Sequence, residues 1–299
     1  MEDRQQTDNF DEKGDLAMGK TAVITDSTSY IPEETRKQYN ITMVPLNVIF
    51  GEETFKEEWD ITFEDFYYKM KHTEKLPTTS QPSIGLFEET YRELGAEYDE
   101  IVVVTLSSGI SGTFQTAVAA ANMFEELPVH VFDSEVSCMI QGFYALEAAK
   151  LANEGKDGKA IMARLEELKE KTSAYFMADD LNHLHRGGRL NGAQLFIGSM
   201  LKVKPVLHFE DKKIVPYEKV RTEKKAIAKI RSLLDSDLTQ EESASIAVIH
   251  GNCLDKAEPI ADELREQYPN ADVYISHFGP VIGTHLGPGA IGIGWMHLD

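Results

Sequence analysis

IVVVTLSSGISGTFQTAVAAANMF, residues 101–124, joins two regular elements through a loop rich in hydroxyls. Ile101 to Leu106 is apolar or β-branched throughout, which predicts a buried strand of a parallel sheet. Thr113 to Phe124 is rich in alanine and free of glycine and proline, which predicts a helix. Between them, Ser107-Ser108-Gly109-Ile110-Ser111-Gly112 sets three hydroxyls and two glycines at the carboxyl end of a strand and the amino end of a helix. Open α/β sheets bind ligands there. The unpaired N–H groups and the positive end of the helix dipole favour an anion. The same residues also make an ordinary turn and cap, so this loop alone leaves both uses open.

Working outward, the pattern recurs. Thr21 to Thr25 is a short apolar strand, followed by Asp26-Ser27-Thr28-Ser29 and a helix opening at Pro32. Val129 to Phe132 is another, followed by Asp133-Ser134-Glu135 and a helix from Val136 to Asn153. A second hydroxyl-rich turn, Pro77 to Ser83 (PTTSQPS), leads into a helix with Leu86, Phe87, Tyr91 and Leu94 inward. Met43 to Phe50 reads as a strand, Phe55 to Asp60 as a short extended piece, and Thr62 as the cap of a helix over Phe63 to His72. Lys159 to Lys171 is an amphipathic helix. Such alternation predicts a mostly parallel sheet whose loops gather at one edge.

From Thr172 the texture changes. Strands are expected at Ser173–Ala178, Lys204–Phe209, Lys213–Pro216 after an Asp211-Lys212 turn, Ser245–His250 and Asp272–His277, with a last strand in the glycine-rich end. Helices are expected at Asn191–Leu201, from the Thr222 cap to Leu234, and at Lys256–Gln267. The expected fold is therefore α/β: a parallel-sheet domain over residues 20–171 and a mixed-sheet domain over 172–299. A disordered acidic extension over 1–19 precedes them.

The chain has 299 residues, 42% of them apolar, enough for a sizeable core. Its formal charge of −20 argues against a nucleic-acid binder. Cys138 and Cys253 form no metal or disulfide pattern. No apolar run reaches membrane-spanning length and no signal-peptide pattern is present, so we expect a cytoplasmic protein. Gly287-Pro288-Gly289-Ala290-Ile291-Gly292 matches GxGxxG, but only seven residues follow it here, too few for a dinucleotide-binding βαβ unit. Close approach of backbone to a ligand or strand is its expected use. Ser111 lies in GISG, not in the GxSxG of a nucleophile elbow. A serine esterase or acyltransferase using Ser111 with His285 stays open as the alternative, since His285, His277 and His250 are all available. His183 and His185 lack a third ligand for a metal. The stretch from Leu181 to Arg231 holds twelve lysines and arginines against four acids, and Asp180 to Glu210 encloses no acid at all. That window contains Arg186, Arg189, Lys202 and Lys204 beside the apolar run from Leu195 to Leu201. It is either a solvated face over core or a surface for an anionic lipid or protein partner.

Taken as a set, TDSTSYIP (25–32), PTTSQPS (77–83), LSSGISGT (106–113), FDSE (132–135), GGRLNGAQ (187–194), KPVL (204–207), EKVRT (218–222) and FGPVIGTHLGPGAIG (278–292) resemble the DegV family. The likeness runs from about Lys20 to the end and points to the fatty-acid-binding subunit of bacterial fatty acid kinase. The resemblance implies a two-domain carrier holding one long-chain fatty acid in an apolar tunnel between the domains, with hydroxyls gripping the carboxylate at the mouth. It implies no cofactor and no catalysis by the carrier itself. A separate ATP-dependent kinase subunit would phosphorylate the carboxylate, giving an acyl phosphate for phospholipid metabolism. Carried over by position, Thr79 and Ser111 are the first head-group residues, with Ser108, Gly112 and His285 as neighbours. Arg189 and Arg221 match positions facing the kinase or the phosphate. A phosphate- or sugar-binding protein similar to the substrate domain of dihydroxyacetone kinase is the remaining rival.

Overall fold

The computed structural model describes residues 19–190 and 203–298. The extension expected at 1–19, but for Gly19, and the helix expected at Asn191–Leu201 lie outside the described residues.

The first sheet is parallel throughout, in the order β2 (Ile41–Val44), β1 (Thr21–Asp26), β6 (Glu100–Thr105), β7 (Val129–Asp133). Strands β1 and β6 are buried along almost their whole length, which is why IVVVT shows no alternation of polar and apolar residues. Helix α1 (Glu33–Tyr39) links β1 to β2, and α4 (Thr113–Met123) links β6 to β7.

Met43–Phe50, expected as one strand, is divided. β2 ends at Val44, and β3 (Asn47–Phe50) begins a second sheet after Pro45-Leu46. Pro45 has no N–H to give a ladder, so the chain leaves the parallel sheet at that point. β3 turns back through Gly51 into β4 (Glu53–Lys56), which sits earlier than the extended piece expected at Phe55–Asp60. Helix α2 (Phe63–His72) matches the sequence reading: the Thr62 hydroxyl accepts from the Asp65 N–H at 3.1 Å, and Phe66, Tyr67 and Met70 face inward. A short strand β5 (Thr78–Ser80) then pairs antiparallel with β3, giving the order β4-β3-β5. Thr79, expected in a turn, is therefore a strand residue opposite Val48. Helix α3 (Ile84–Leu94), capped by Ser83, returns the chain to β6.

Beyond β7, helices α5 (Cys138–Asn153) and α6 (Gly158–Lys169) lead to a six-stranded sheet. Its order is β10 (Lys213–Glu218), β9 (Val206–Glu210), β8 (Thr172–Met177), β13 (Ile291–His297), β11 (Ala244–His250), β12 (Ala271–His277). β11 and β12 run parallel and the other neighbours antiparallel, so the sheet is mixed as expected. Helices α8 (Glu223–Asp237) and α9 (Leu254–Gln267) cover the face carrying Ile246, Val248, Ile293 and Trp295. Helices α7 (Leu181–Arg186) and α10 (Pro280–Leu286) lie in contact with each other. Helix α10 escapes the sequence reading, which expects only a last strand in the glycine-rich end; its one signal is Pro280 at the first helical position.

Helix α5 is buried on nearly every side for its first half. It packs on β1 and β6 in one direction and on β11, β12 and β13 in the other, as an all-round apolar helix must. A single cluster of buried side chains accordingly includes Val23 and Val104 of the parallel sheet with Phe176 and Ile249 of the mixed one. Gln141 is a polar residue of α5 buried in this core. Its carbonyl accepts from the Thr28 hydroxyl at 2.9 Å and its amide donates to the Thr25 hydroxyl at 3.3 Å.

Candidate functional site

Between the two large sheets lies a narrow cavity. Most of its wall is apolar. Leu46, Leu106 and Ile110 come from the first half of the chain, and Phe176, Phe209, Ile249 and Phe278 from the second. Two wall residues of β13 are glycines two positions apart, Gly292 and Gly294, and so share a face of the strand. A Cβ on Gly294 would stand 2.4 Å from the Ile140 side chain. The strand surface is stripped bare there because α5 lies directly on it.

The polar wall residues are Thr79, Ser80, Gln81, Ser111, Ser137, Arg189 and His285, and several touch one another. The Thr79 hydroxyl lies 2.9 Å from Nε2 of His285. A Cβ on Gly112 would stand 2.8 Å from the Gln81 amide, and one on Gly187 would stand 2.3 Å from Nδ1 of His285. Nε of Arg189 donates to the Ile110 carbonyl at 3.1 Å and its Nη1 to the Gly187 carbonyl. Strand β5, the loop after β6, the end of α7 and helix α10 thus converge on one patch. Burial, and then the Arg189 charge, push His285 down to about 3, so its ring is neutral at physiological pH. Its Nδ1 is buried without a hydrogen-bond partner.

The other two loops of the parallel sheet do a different job from the one expected of them. Asp26 Oδ2 accepts from the Leu106 N–H at 2.8 Å, and Asp133 Oδ1 from the Ser108 N–H at 3.0 Å. Their carboxylates hold the SSGISG backbone in place. The tip of the β9–β10 hairpin closes over the same loop. The Ser107 hydroxyl donates to the Lys212 carbonyl at 2.7 Å, and Lys212 Nζ pairs with Asp133 at 3.0 Å. Gly109 is required at this contact, since a Cβ there would lie 2.2 Å from the Lys212 carbonyl oxygen.

Of the residues singled out from sequence, Thr79, Ser111, Arg189 and His285 share the cavity wall. Ser108 and Gly112 sit behind it, facing Asp133 and Gln81. Arg221 is exposed ahead of α8, off the wall. Lys204, counted in the basic window, is paired with Asp179. Gln81 stands on the wall as well, and the sequence reading does not single it out. A nucleophile–base pair is not assembled either: the Ser111 hydroxyl bonds to that of Thr113 at 2.9 Å, while His285 is bonded to Thr79. Among the described residues no helix is long and apolar enough to cross a membrane.

A mainly apolar cavity between a parallel and a mixed sheet, polar on one patch, is the kind of site that takes a small molecule with one polar end. The chain belongs to the DegV family: residues 20–298 match the family model described as "Uncharacterised protein, DegV family". Over 275 residues it is 54% identical to Protein DegV of Bacillus subtilis, covering 92% of this chain and 98% of that one. A crystal structure of DegV from that organism, described as a fatty acid binding protein, superposes with a TM-score of 0.89 at 53% identity, covering 93% of this chain and 99% of that one. A DegV family protein from Thermus thermophilus, also described by its fatty acid binding, superposes with a TM-score of 0.86 at 31% identity, covering 93% and 100%.

Proposed function

We propose that this protein binds a long-chain fatty acid and presents its carboxylate to a separate ATP-dependent kinase subunit. The observation that carries the reading is the cavity itself, apolar along most of its wall with Thr79, Ser111, Arg189 and His285 on one patch. Two solved relatives described as fatty acid binders support it. A carboxylate leaving water needs replacement hydrogen bonds, because burying it unpaired is very costly. Hydroxyls and backbone N–H groups at Thr79 and Ser111 supply charge-assisted bonds without the tight grip of a bidentate arginine. One carboxylate oxygen thus stays available to attack the γ-phosphorus of ATP, forming the acyl phosphate as ADP leaves. Each buried methylene adds roughly 0.8 kcal/mol, so the tail sets affinity and the polar patch sets orientation.

Native mass spectrometry of the purified protein is expected to show an added fatty-acid mass. Ser111→Ala and Thr79→Ala should lower that occupancy while circular dichroism is unchanged; full occupancy in both variants would defeat the reading. Acyl phosphate should form only when kinase subunit, ATP and loaded carrier are combined. Loading from an anionic membrane accounts for the basic balance between Leu181 and Arg231. Arg186→Glu with Lys202→Glu should then slow uptake of palmitate from anionic vesicles, and equal uptake would remove the membrane from the scheme.

A further inference from the structure

Resting on the fatty-acid reading above, we propose that Glu57 is a positioning residue: its carboxyl caps helix α10 from the far end of the chain and thereby sets His285 against Thr79. Glu57 follows β4 and is fully buried. Its Oε1 accepts from the Val281 N–H at 2.7 Å and from the Tyr30 hydroxyl at 3.0 Å. The Tyr30 hydroxyl in turn accepts from the Ile282 N–H at 3.3 Å. Val281 and Ile282 belong to the first turn of α10, whose N–H groups have no partner within the helix. The residue at its own N-cap is Gly279, which has no side chain to offer. The acceptors come instead from a segment more than two hundred residues earlier.

The helix is seven residues long, too short to hold its shape unaided. Its orientation is therefore set by what ties down its first turn and by packing on Phe66 and Tyr67. Val281 and His285 stand four residues apart, on one face, and both line the cavity. A shift of the first turn moves the His285 ring with it.

The second carboxyl oxygen meets the Ser27 hydroxyl, which also accepts from the Leu46 N–H at 3.0 Å. One group so links the end of β1, the Pro45-Leu46 break and α10. The titratable groups around it are Tyr30, Cys138 at the start of α5, and Glu58, whose charge is met by Arg36 at 2.7 Å. None of the ion pairs among the described residues includes Glu57. Burial pushes its carboxyl up to about 8, against the Ser27 hydroxyl, which donates to Oε2. Glutamine is uncharged at every pH and keeps Oε1 accepting from α10.

The test loads wild type, Glu57→Gln, Glu57→Ala and Tyr30→Phe with palmitate. It measures release to albumin alongside the ring-nitrogen NMR signals of His285. Glu57→Ala should release palmitate about tenfold faster, the scale of one lost buried hydrogen bond, with His285 Nε2 shifted from its bonded position. Glu57→Gln should restore both readouts. Tyr30→Phe removes the Ile282 acceptor and one donor to Glu57 but leaves the Val281 N–H capped, and should shift His285 in the same direction by less. Wild-type release and unmoved His285 signals in Glu57→Ala overturn the assignment. If that variant does not fold, unmoved signals in Tyr30→Phe do so. A wild type that retains no palmitate defeats the fatty-acid reading instead, and the His285 signals of the unloaded proteins then decide the role of Glu57.

Discussion

The two walls of the cavity are built by opposite means. On the parallel-sheet side, the polar groups sit on a loop whose backbone is tied down by buried carboxylates, Asp26 on Leu106 and Asp133 on Ser108. On the mixed-sheet side, β13 offers Gly292 and Gly294 where other strands offer side chains, and Phe176, Phe209 and Phe278 close the space. The first wall fixes directions and the second leaves room. Changes to the carboxylates that brace the first wall should therefore register mainly as lost stability, and changes on the second wall mainly as lost ligand.

The largest effect is expected at Asp26. It accepts from the Thr28 N–H and hydroxyl as well as from Leu106, and it is 1% exposed. Asp26→Ala strands two buried N–H groups at about 1–3 kcal/mol each, so urea unfolding should show a loss on the order of 3 kcal/mol. Gly294→Leu comes next. It overpacks the contact with Ile140 at about 1–3 kcal/mol and should abolish palmitate retention while the chain remains folded. If Gly294→Leu keeps its palmitate, or if Asp26→Ala unfolds no more easily than wild type, the division of labour between the walls is wrong.

The parallel-sheet wall was also the more legible in sequence, and for related reasons. A strand buried on both faces has to be continuously apolar, so IVVV announces itself, and the loop that follows must carry the polar groups. Nothing comparable marks the opposite wall. VIGTH in α10 combines a glycine with three β-branched residues over a short length, and only packing makes it helical. Thr79 was read as a turn residue because three hydroxyls between prolines look like one; its strand pairing depends on β3, thirty residues away. Glu57 stands among Glu52, Glu53 and Glu58, and sequence alone gives no sign that this one is inside. Its partners are contributed by the turn after β1 and by α10, so only the assembled fold identifies it.

The buried ionisable groups provide a pH test of the same contrast. The Glu57 carboxyl goes from an ordinary 4.5 to about 8 on folding, so the folded state holds its proton more tightly. The stability this gives is complete below 4.5 and is lost as pH rises toward 8. His285 and His277 have the opposite sign. Burial lowers them from 6.5 to about 3 and about 4, so their contribution is complete above 6.5 and is lost as pH falls. Between pH 6.5 and 7.5, wild type should lose about 1.4 kcal/mol relative to Glu57→Gln. Parallel curves for the two proteins across that interval would mean that Glu57 is already ionised at neutral pH.

The smallest effect separates charge from backbone at the seam where the two walls meet. Lys212 pairs with Asp133 across that seam, but its side chain is 42% exposed, so solvent screens the pair and it is worth no more than about 1 kcal/mol. The closer attachment is made by the Lys212 carbonyl, which takes the Ser107 hydroxyl and lies against Gly109. The turn that presents it, Asp211-Lys212, has both residues in the left-handed region, at φ 47° and 69°, as a two-residue hairpin loop of right-handed twist requires. Lys212→Met keeps this backbone contact and removes the charge. It should cost about 0.5 kcal/mol in urea, fading further at high salt, and leave palmitate retention intact. Ser107→Ala keeps the charge and removes the hydroxyl from the backbone contact, and should release palmitate faster than Lys212→Met does. Should Lys212→Met release palmitate as fast as Ser107→Ala, the seam is held by charge, and the parallel wall reaches the ligand through Asp133 rather than through the hydroxyl of Ser107.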